Sequence, residues 1–134
     1  MKSSPLLLAL TLSFHHVIAN VNTNTWIDDL IEELPDFGRT PTPHFSGYLD
    51  GSDGCDVVTN GPSCQIHYWF ALAESNAPNA PIVLWLNGGP GSSSILGFLT
   101  EVGPLLISAK GNLMENPWSW TKDVNLLAIE GKLP

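Results

Sequence analysis

A glycine-rich turn is the part of the sequence whose residue types and spacing best fit a chemical role. It reads N-G-G-P-G at residues 87–91 and follows the apolar run 82–86. Glycine tolerates positive φ angles and allows a ligand to approach the backbone closely. A turn that leaves a buried strand and enters a helix also presents backbone N–H groups that have no partner inside the helix. The turn is therefore predicted to face an anion or a developing negative charge.

Three kinds of site compete for this turn. A nucleotide-binding P-loop needs a lysine followed by serine or threonine after its glycines, and no lysine is present here. A dinucleotide site needs a third glycine in G-x-G-x-x-G, but residues 92–94 are all serine. The remaining functional interpretation is an oxyanion-hole loop, which in hydrolases joins a strand to the first helix. Composition alone does not separate it from a plain strand-to-helix turn.

The three serines after the turn, Ser92, Ser93 and Ser94, resemble candidate nucleophiles only by residue type. No G-x-S-x-G surrounds them, and a hydroxyl in an oxyanion loop does not lie on a nucleophile elbow. Serine is a favoured residue at a helix N-cap. We therefore expect one of the three to cap the helix.

The elements that must hold this turn follow from periodicity and from turn residues. Two runs with strand character, Phe45–Leu49 and Gln65–Ala73, are expected to pair as an antiparallel hairpin. The apolar runs Ile82–Leu86 and Val124–Ile129 are typical of buried central strands. The order is that of an α/β fold. The other expectations are an amphipathic helix over Trp26–Leu34, a helix through Leu99 that Gly103 and Pro104 stop, and a loop over Leu113–Trp120.

The extreme N-terminus has the pattern of a secretory signal peptide. Lys2 precedes a short apolar run, and Val17 and Ala19 fit the small-residue rule before a cleavage site. We place the cut after Ala19, which leaves residues 20–134 as the mature part. The apolar run is shorter than the roughly 20 residues that cross a bilayer, so no membrane span is predicted.

Composition limits the partners further. Thirteen acidic residues against five basic ones give a formal net charge of −8. Such a chain has no basic patch to neutralise phosphates, which argues against a nucleic-acid partner. Cys55 and Cys64 are expected to close a small disulfide loop in an oxidising compartment, although either one pairing elsewhere is the alternative. Their spacing does not fit a metal site, and neither a metal nor another cofactor is predicted.

Six blocks of sequence carry a resemblance to the serine carboxypeptidase family, which includes the cathepsin A type. The turn and the strand before it resemble the family signature W-L-N-G-G-P-G-C-S-S. The other five blocks follow in the family's order and are F-S-G-Y-L at 45–49, H-Y-W-F at 67–70, E-V-G-P at 101–104, N-P-W-S-W at 116–120 and N-L-L-A-I-E at 125–130. The resemblance implies the N-terminal part of an α/β-hydrolase fold, with an antiparallel hairpin, central strands and one helix.

The resemblance also implies roles for individual residues. Gly89 would donate a backbone N–H to the oxyanion of the tetrahedral intermediate. Asn87, the Gly88 amide and Glu101 would bind the free C-terminal carboxylate of a peptide substrate. Glu101 would act as a protonated acid, which fits an acidic working pH, because only the protonated form can donate a hydrogen bond to a carboxylate. Without the resemblance, Glu101 would be interpreted as a solvated carboxylate near a helix end.

The sequence departs from the family in two respects. Ser92 stands where the family usually has a cysteine that forms a disulfide with a later segment. After Glu130 the family continues to the G-E-S-Y-A nucleophile motif and to the catalytic aspartate and histidine, which have no counterpart here. Neither His44 nor His67 replaces that histidine by position. The chain is therefore expected to be a truncated domain, inactive alone, and poorly stable or aggregating because its buried strands lack neighbours.

Two hypotheses about function follow. In the first, the chain is part of a serine-type carboxypeptidase that releases C-terminal residues from peptides at acidic pH, with a homodimer as an option for a full-length parent. In the second, it is a non-enzymatic secreted protein that binds peptide C-termini or a full-length relative. Both place it in the secretory pathway, with a lysosomal, vacuolar or extracellular destination.

Overall fold

A five-stranded mixed sheet organises the chain, and its strand order is β1-β2-β3-β7-β4. The computed structural model describes residues 26–52, 64–89 and 91–130. The strands of the sheet are β1 (Leu30–Ile31), β2 (His44–Asp50), β3 (Gln65–Ala71), β4 (Ile82–Trp85) and β7 (Asn125–Glu130). A separate two-stranded sheet contains β5 (Leu105–Ile107) and β6 (Leu113–Glu115).

The predicted hairpin is confirmed. β2 and β3 pair antiparallel along their whole length, from His44 opposite Ala71 to Asp50 opposite Gln65. The alternation of large side chains along β3 places Trp69 on the face that carries the core and Phe70 on the opposite face. This hairpin is the template on which the rest of the sheet is added.

The α/β character is also confirmed, because the later strands form a crossover. β7 lies between β3 and β4, antiparallel to β3 and parallel to β4. Parallel neighbours require a connection that crosses the sheet face. That connection contains the helix α1 (Ser94–Gly97), which continues directly into a π-helical turn (Phe98–Val102).

The helical segment begins and ends where the sequence predicts. Ser93 is the N-cap residue, and its hydroxyl accepts a hydrogen bond from the N–H of Leu96. Gly103 ends the segment in an extended conformation, and its N–H donates to the carbonyl of Phe98 at 3.0 Å. Pro104 follows and cannot continue a helix.

The core lies between the helical segment and one face of the sheet. Phe98 and Val102 of the π-helical turn pack against Ala71, Leu126 and Ala128 of the central strands. Side chains that are partly buried complete this layer: Trp69, Val83, Trp85, Ile95 and Leu99. Removing these apolar surfaces from water holds the segment on the sheet.

The helix expected over Trp26–Leu34 is wrong. Residues 26–29 form a turn, and β1 pairs antiparallel with β2. The carbonyl of Asp29 accepts the N–H of Ser46 at 2.8 Å, and the ring of Trp26 lies 5.9 Å from that of Phe45. An isolated nine-residue helix is marginal in water, and pairing with an open sheet edge satisfies the same backbone groups.

Two further expectations need correction. Part of the segment expected as a loop, Leu113–Trp120, forms β6, which pairs with β5. β4 was expected to be buried on both faces, but it is an edge strand and Ile82 is 65% exposed. Ile82 and Leu84 point away from the helical segment, on the sheet face opposite the core.

The predicted signal peptide lies outside the described residues. In the ranges that the structure describes, no helix has the length and apolar character needed to cross a membrane. A short 3₁₀ helix, Trp120–Lys122, precedes β7. The mixed sheet and its helical crossover agree with a partial α/β domain.

Candidate functional site

The glycine turn lies at the edge of the sheet where the parallel strands β4 and β7 both end. Ligands of open α/β sheets bind outside the carboxyl ends of such strands. Gly88, Gly89 and Gly91 all have positive φ angles, of 81°, 127° and 88°. The expectation that these glycines supply left-handed backbone is therefore confirmed. Pro90 lies outside the described residues.

Gly89 has the tightest surroundings in the turn. A Cβ atom added to it would lie 2.9 Å from the backbone nitrogen of Ser92 and 3.0 Å from that of Gly91. Neither the Gly88 nor the Gly89 N–H donates a hydrogen bond to another described residue. Two backbone donors thus remain available at the sheet edge, as binding of an oxyanion or a carboxylate requires.

Asn87 connects the end of β4 to the start of the helix. Its backbone N–H donates to Ser94 Oγ at 3.4 Å, and its Nδ2 donates to Ser92 Oγ at 3.1 Å. A Cβ atom on Gly97 would collide with Asn87 Oδ1 and would lie 2.7 Å from Trp85 Nε1. Gly97 therefore lets the helix approach the turn, and Asn87 is held from both sides.

The indole N–H of Trp85 is a polar group that the described structure leaves unused. Its Nε1 is buried and has no hydrogen-bond partner among the described residues. Buried donors are normally paired, so an unpaired one beside a candidate site points to a group that can accept from it. Sequence reasoning treated Trp85 only as part of a buried strand.

The hydroxyl groups of all three serines form hydrogen bonds within the turn and the start of the helix. Ser92 accepts from Asn87, Ser93 caps α1, and the buried Ser94 accepts from the Asn87 N–H. Ser93 Oγ donates to Glu130 Oε2 at 3.0 Å. The predicted capping role is thus confirmed for Ser93.

Glu130 is a member of the site that sequence reasoning missed. It is the last residue of β7, and Oε2 accepts the Ile95 N–H at 3.1 Å as well as the Ser93 hydroxyl. An acid near a helix N-terminus is favourable because unpaired N–H groups meet it there. The available signal was an acid at the end of a strand parallel to β4, but only the strand order shows that this end lies beside the turn.

Among the described residues, the Glu101 side chain forms no hydrogen bond with Asn87 or Gly88. Glu101 lies in the π-helical turn with an exposed side chain, and its carboxylate forms no hydrogen bond or ion pair with the described residues. Its backbone carbonyl accepts from the buried Asn116, whose Nδ2 also donates to the Gly103 carbonyl at 2.8 Å. The Glu101 side chain is therefore available to a ligand.

The two histidines on the hairpin have structural surroundings. His67 Nε2 lies 2.8 Å from Ser46 Oγ, and its ring packs 5.3 Å from that of Tyr48. His44 is fully buried and its Nδ1 accepts from Trp69 Nε1 at 3.3 Å. Burial lowers the pKa of His44 from 6.5 to about 4, because the charged imidazolium loses its hydration.

The remaining predicted site residues are the cysteines. Cys64, directly before β3, is disulfide-bonded. Cys55 lies outside the described residues, so the pairing of the two stays a prediction. Over the described ranges, no three His, Cys, Asp or Glu side chains are grouped as metal ligands.

Comparison with known proteins shows which family this chain is similar to. A model of the serine carboxypeptidase family matches residues 35–132. The lysosomal protective protein of Mus musculus is 43% identical over 129 residues, which cover 95% of this chain and 24% of the mouse protein. The serine carboxypeptidase-like 35 protein of Arabidopsis thaliana is 41% identical over 110 residues, covering 77% of this chain and 21% of its own length.

One solved structure is similar as well. It is Kex1Δp, a prohormone-processing carboxypeptidase from Saccharomyces cerevisiae, with a TM-score of 0.55 and 30% sequence identity. The match covers 67% of this chain and 19% of Kex1Δp. The chain thus spans about a quarter or less of the proteins that it matches.

Proposed function

The chain belongs to the serine carboxypeptidase family, and from this we propose that residues 87–101 form the carboxylate-binding and oxyanion-stabilising half of a carboxypeptidase site. The activity that this half-site serves is the release of C-terminal residues from peptides at acidic pH. The observation that carries the proposal is that the N–H groups of Gly88 and Gly89 donate to no described residue and lie in positive-φ backbone at the ends of β4 and β7.

Gly89 is proposed as the oxyanion donor. Negative charge develops on the carbonyl oxygen as the tetrahedral intermediate forms, and a fixed N–H stabilises that charge without reorganising. One such donor contributes on the order of 3 kcal/mol to the transition state. The φ of 127° at Gly89, and backbone nitrogens that would lie 2.9–3.0 Å from an added Cβ, restrict this position to glycine, which supports this role.

Asn87, the Gly88 N–H and Glu101 are proposed to bind the substrate carboxylate. Asn87 is already oriented by Ser92 and Ser94. Glu101 is exposed and forms no hydrogen bond within the described ranges, so its carboxyl group remains available to a ligand. While Glu101 keeps its proton it can donate a hydrogen bond to the carboxylate; once ionised it repels that carboxylate. Binding is therefore favoured in acid.

The nucleophilic half is not part of this proposal. A triad needs a serine that attacks, a histidine that moves the proton and an aspartate that orients the histidine. Ser92–Ser94 are engaged with the turn and helix, and His44 and His67 lie on the hairpin. We propose that the described residues bind and polarise a substrate but do not cleave it.

The setting is proposed from the relatives. One relative is named lysosomal and another, a carboxypeptidase of Saccharomyces cerevisiae that is 33% identical over 120 residues, is named vacuolar. Together with the predicted signal peptide, these names support passage through the secretory pathway. The proposed partners are peptide or protein C-termini, and the α/β-hydrolase form of the complete domain belongs to the same proposal.

Ligand binding tests the proposal directly. The chain is titrated at pH 5 with N-acetyl-phenylalanine and with the corresponding amide, and tryptophan fluorescence reports binding near Trp85. We expect the carboxylate to bind at least about tenfold more tightly than the amide, since charge-assisted hydrogen bonds are involved. Asn87→Ala should remove this preference, whereas Asn112→Ala, at an exposed turn, should keep it. Equal affinities for acid and amide would refute the half-site.

The role of Glu101 has its own test. Glu101→Gln carries an amide that donates a hydrogen bond at every pH. Glu101→Ala removes the hydrogen-bonding group and should weaken binding of N-acetyl-phenylalanine by about tenfold, whereas Glu101→Gln should bind at least as tightly as the wild-type chain. Unchanged affinity in Glu101→Ala would remove Glu101 from the site.

A further inference from the structure

We propose that Glu130 is a positioning residue of the glycine turn, holding the Gly88 and Gly89 N–H groups in their binding orientation. The inference rests on the proposed function, because fixing the conformation of the turn affects binding only if its N–H groups contact a ligand. The attachment of the turn to the end of β7 does not depend on that function, since it follows from the contacts of the Glu130 carboxylate alone.

The Glu130 carboxylate joins two elements that are distant in sequence. Oε2 accepts the hydroxyl of Ser93 at 3.0 Å and the backbone N–H of Ile95 at 3.1 Å. The Ser93 oxygen in turn accepts the Leu96 N–H at 3.3 Å. A single carboxylate oxygen therefore fixes the cap residue and satisfies an N–H of the first helical turn.

The cap is connected to the ligand-binding turn by short covalent and hydrogen-bonded paths. Ser94, next to the cap, is 4% exposed, and its Oγ accepts the Asn87 N–H at 3.4 Å. The turn from Asn87 to Ser93 is thus closed at one end by β4 and at the other by the attachment of Ser93 to Glu130. Without that attachment, the glycines could adopt other backbone conformations.

The sheet places Glu130 at this point. β4 and β7 are in parallel register with Trp85 opposite Ala128, so two residues further on Glu130 lies beside Asn87. On its other side, Glu130 is opposite His67 in the β3–β7 pair, and His67 is held by Ser46 at 2.8 Å. The backbone of Glu130 is therefore fixed by β3, and its side chain reaches the start of α1.

The charge of Glu130 has no cation as a partner in the described ranges. The ion pairs there join Arg39 to Glu33 and Lys122 to Glu74, both at the surface. The Glu130 carboxylate is compensated by the donors of Ser93 and Ile95 and by the positive end of the helical segment. The Glu130 carboxylate therefore relies on the donors at the start of the helix, and the start of the helix relies on the carboxylate as its acceptor.

Hydrogen–deuterium exchange of the full chain, followed by mass spectrometry at low protein concentration, tests this attachment. Glu130→Ala should speed exchange in peptides covering residues 88–97 by about tenfold or more, the factor expected when hydrogen bonds to a charged acceptor are lost. Peptides within β2 and β3 should be unchanged. Glu130→Gln keeps an acceptor oxygen of the same reach and should stay within about threefold of wild type. Glu115→Ala, at an exposed acid of β6, is the matched control.

Ser93→Ala keeps the inference testable if Glu130→Ala unfolds the sheet. It removes the bridging hydroxyl and leaves β7 intact, so it should also speed exchange at residues 88–97, and adding Glu130→Gln should have little further effect. Wild-type exchange at residues 88–97 in Ser93→Ala, or an increase in Ser93→Ala that is equal across β2 and β3, would overturn the inference.

Affinity for N-acetyl-phenylalanine separates this inference from the proposed function. Glu130→Ala should weaken binding by about tenfold or more and Glu130→Gln should restore it, since the carboxylate acts only through the turn. If the wild-type chain does not bind the ligand but Glu130→Ala still opens the turn, the proposed function fails and the attachment is upheld. If the ligand binds equally to wild type and Glu130→Ala, the positioning role fails.

Discussion

Single residues in the turn decide whether its N–H groups can face a ligand. Gly89 combines a φ of 127° with backbone neighbours at 2.9 and 3.0 Å from the place of a Cβ. Gly97 has an ordinary helical φ, but a Cβ there would collide with Asn87. Sequence reasoning identified the first glycine from the motif and overlooked the second, because only the packing of α1 on the turn reveals it.

Replacing Gly89 should cost more stability than replacing a glycine with open surroundings. Gly89→Ala meets backbone atoms in addition to an unfavourable φ, and we expect a loss of roughly 1–3 kcal/mol. Gly111→Ala, with a φ of 85° and no atom within 4 Å of its Cβ, has the unfavourable φ alone. Urea unfolding followed by tryptophan fluorescence compares the two. Equal midpoints would show that the Gly89 surroundings are looser than described.

His44 makes acid conditions unfavourable for the fold. The folded chain keeps His44 neutral because burial lowers its pKa to about 4, whereas the unfolded chain protonates it near 6.5. Between these values the unfolded state binds more protons, so stability is fully present above pH 6.5 and is lost as the pH falls toward 4. The loss should total about 3 kcal/mol.

His44→Asn tests this pH dependence. Asparagine can keep an acceptor for Trp69 Nε1 and does not titrate. Between pH 7 and pH 4.5, the wild-type free energy of unfolding should fall by roughly 2–3 kcal/mol more than that of the variant. Parallel pH profiles for the two proteins would contradict the account.

At the scale of elements, local patterns predicted some parts of the fold and long-range pairing decided the rest. The period-two run of β3 and the capped start of α1 are local signals, and both were found. The segment 26–34 has helical spacing, yet its backbone pairs with β2. The position of Glu130 beside the turn depends on β7 entering between β3 and β4, which no local pattern shows.

Asn116 joins two elements, so replacing it should lower the free energy of unfolding. Its Nδ2 donates to the carbonyls of Glu101 and Gly103, joining the end of the π-helical turn to the residue after β6. Asn116→Asp has the same shape but places a carboxylate oxygen against these carbonyls. We expect a loss of about 3 kcal/mol or more in unfolding free energy at pH 7. Asn112→Asp, at an exposed turn, is the control and should change stability little.

At the scale of the whole molecule, the sheet face opposite the core carries exposed apolar side chains. Ile82 and Leu84 of β4 are 65% and 49% exposed, and they share this face with Leu49, Phe70 and Leu127. Exposed apolar surface of this kind favours association. The sequence predicted exposed sheet faces, but it did not predict that β4 would be the edge strand.

Because this apolar face is exposed, we expect the chain to self-associate as the protein concentration rises. Ile82→Lys combined with Leu84→Lys should shift the chain toward monomer, because two charges interrupt the apolar surface. A matched pair of lysines at the exposed Ile107 and Met114 of the small sheet should leave association unchanged. Sedimentation velocity over a concentration series measures both. A wild-type chain that stays monomeric throughout would contradict the prediction.

A chimaera with an active carboxypeptidase tests whether this chain carries the carboxylate-binding and oxyanion half of a carboxypeptidase site. The segment of Kex1Δp that aligns with this chain is replaced by the corresponding residues of this protein, and release of C-terminal residues is measured as kcat/KM. We expect activity within about tenfold of Kex1Δp, and a further loss of at least about tenfold when Asn87→Ala is added. A folded chimaera that releases no C-terminal residues, or one that is unaffected by Asn87→Ala, would contradict it.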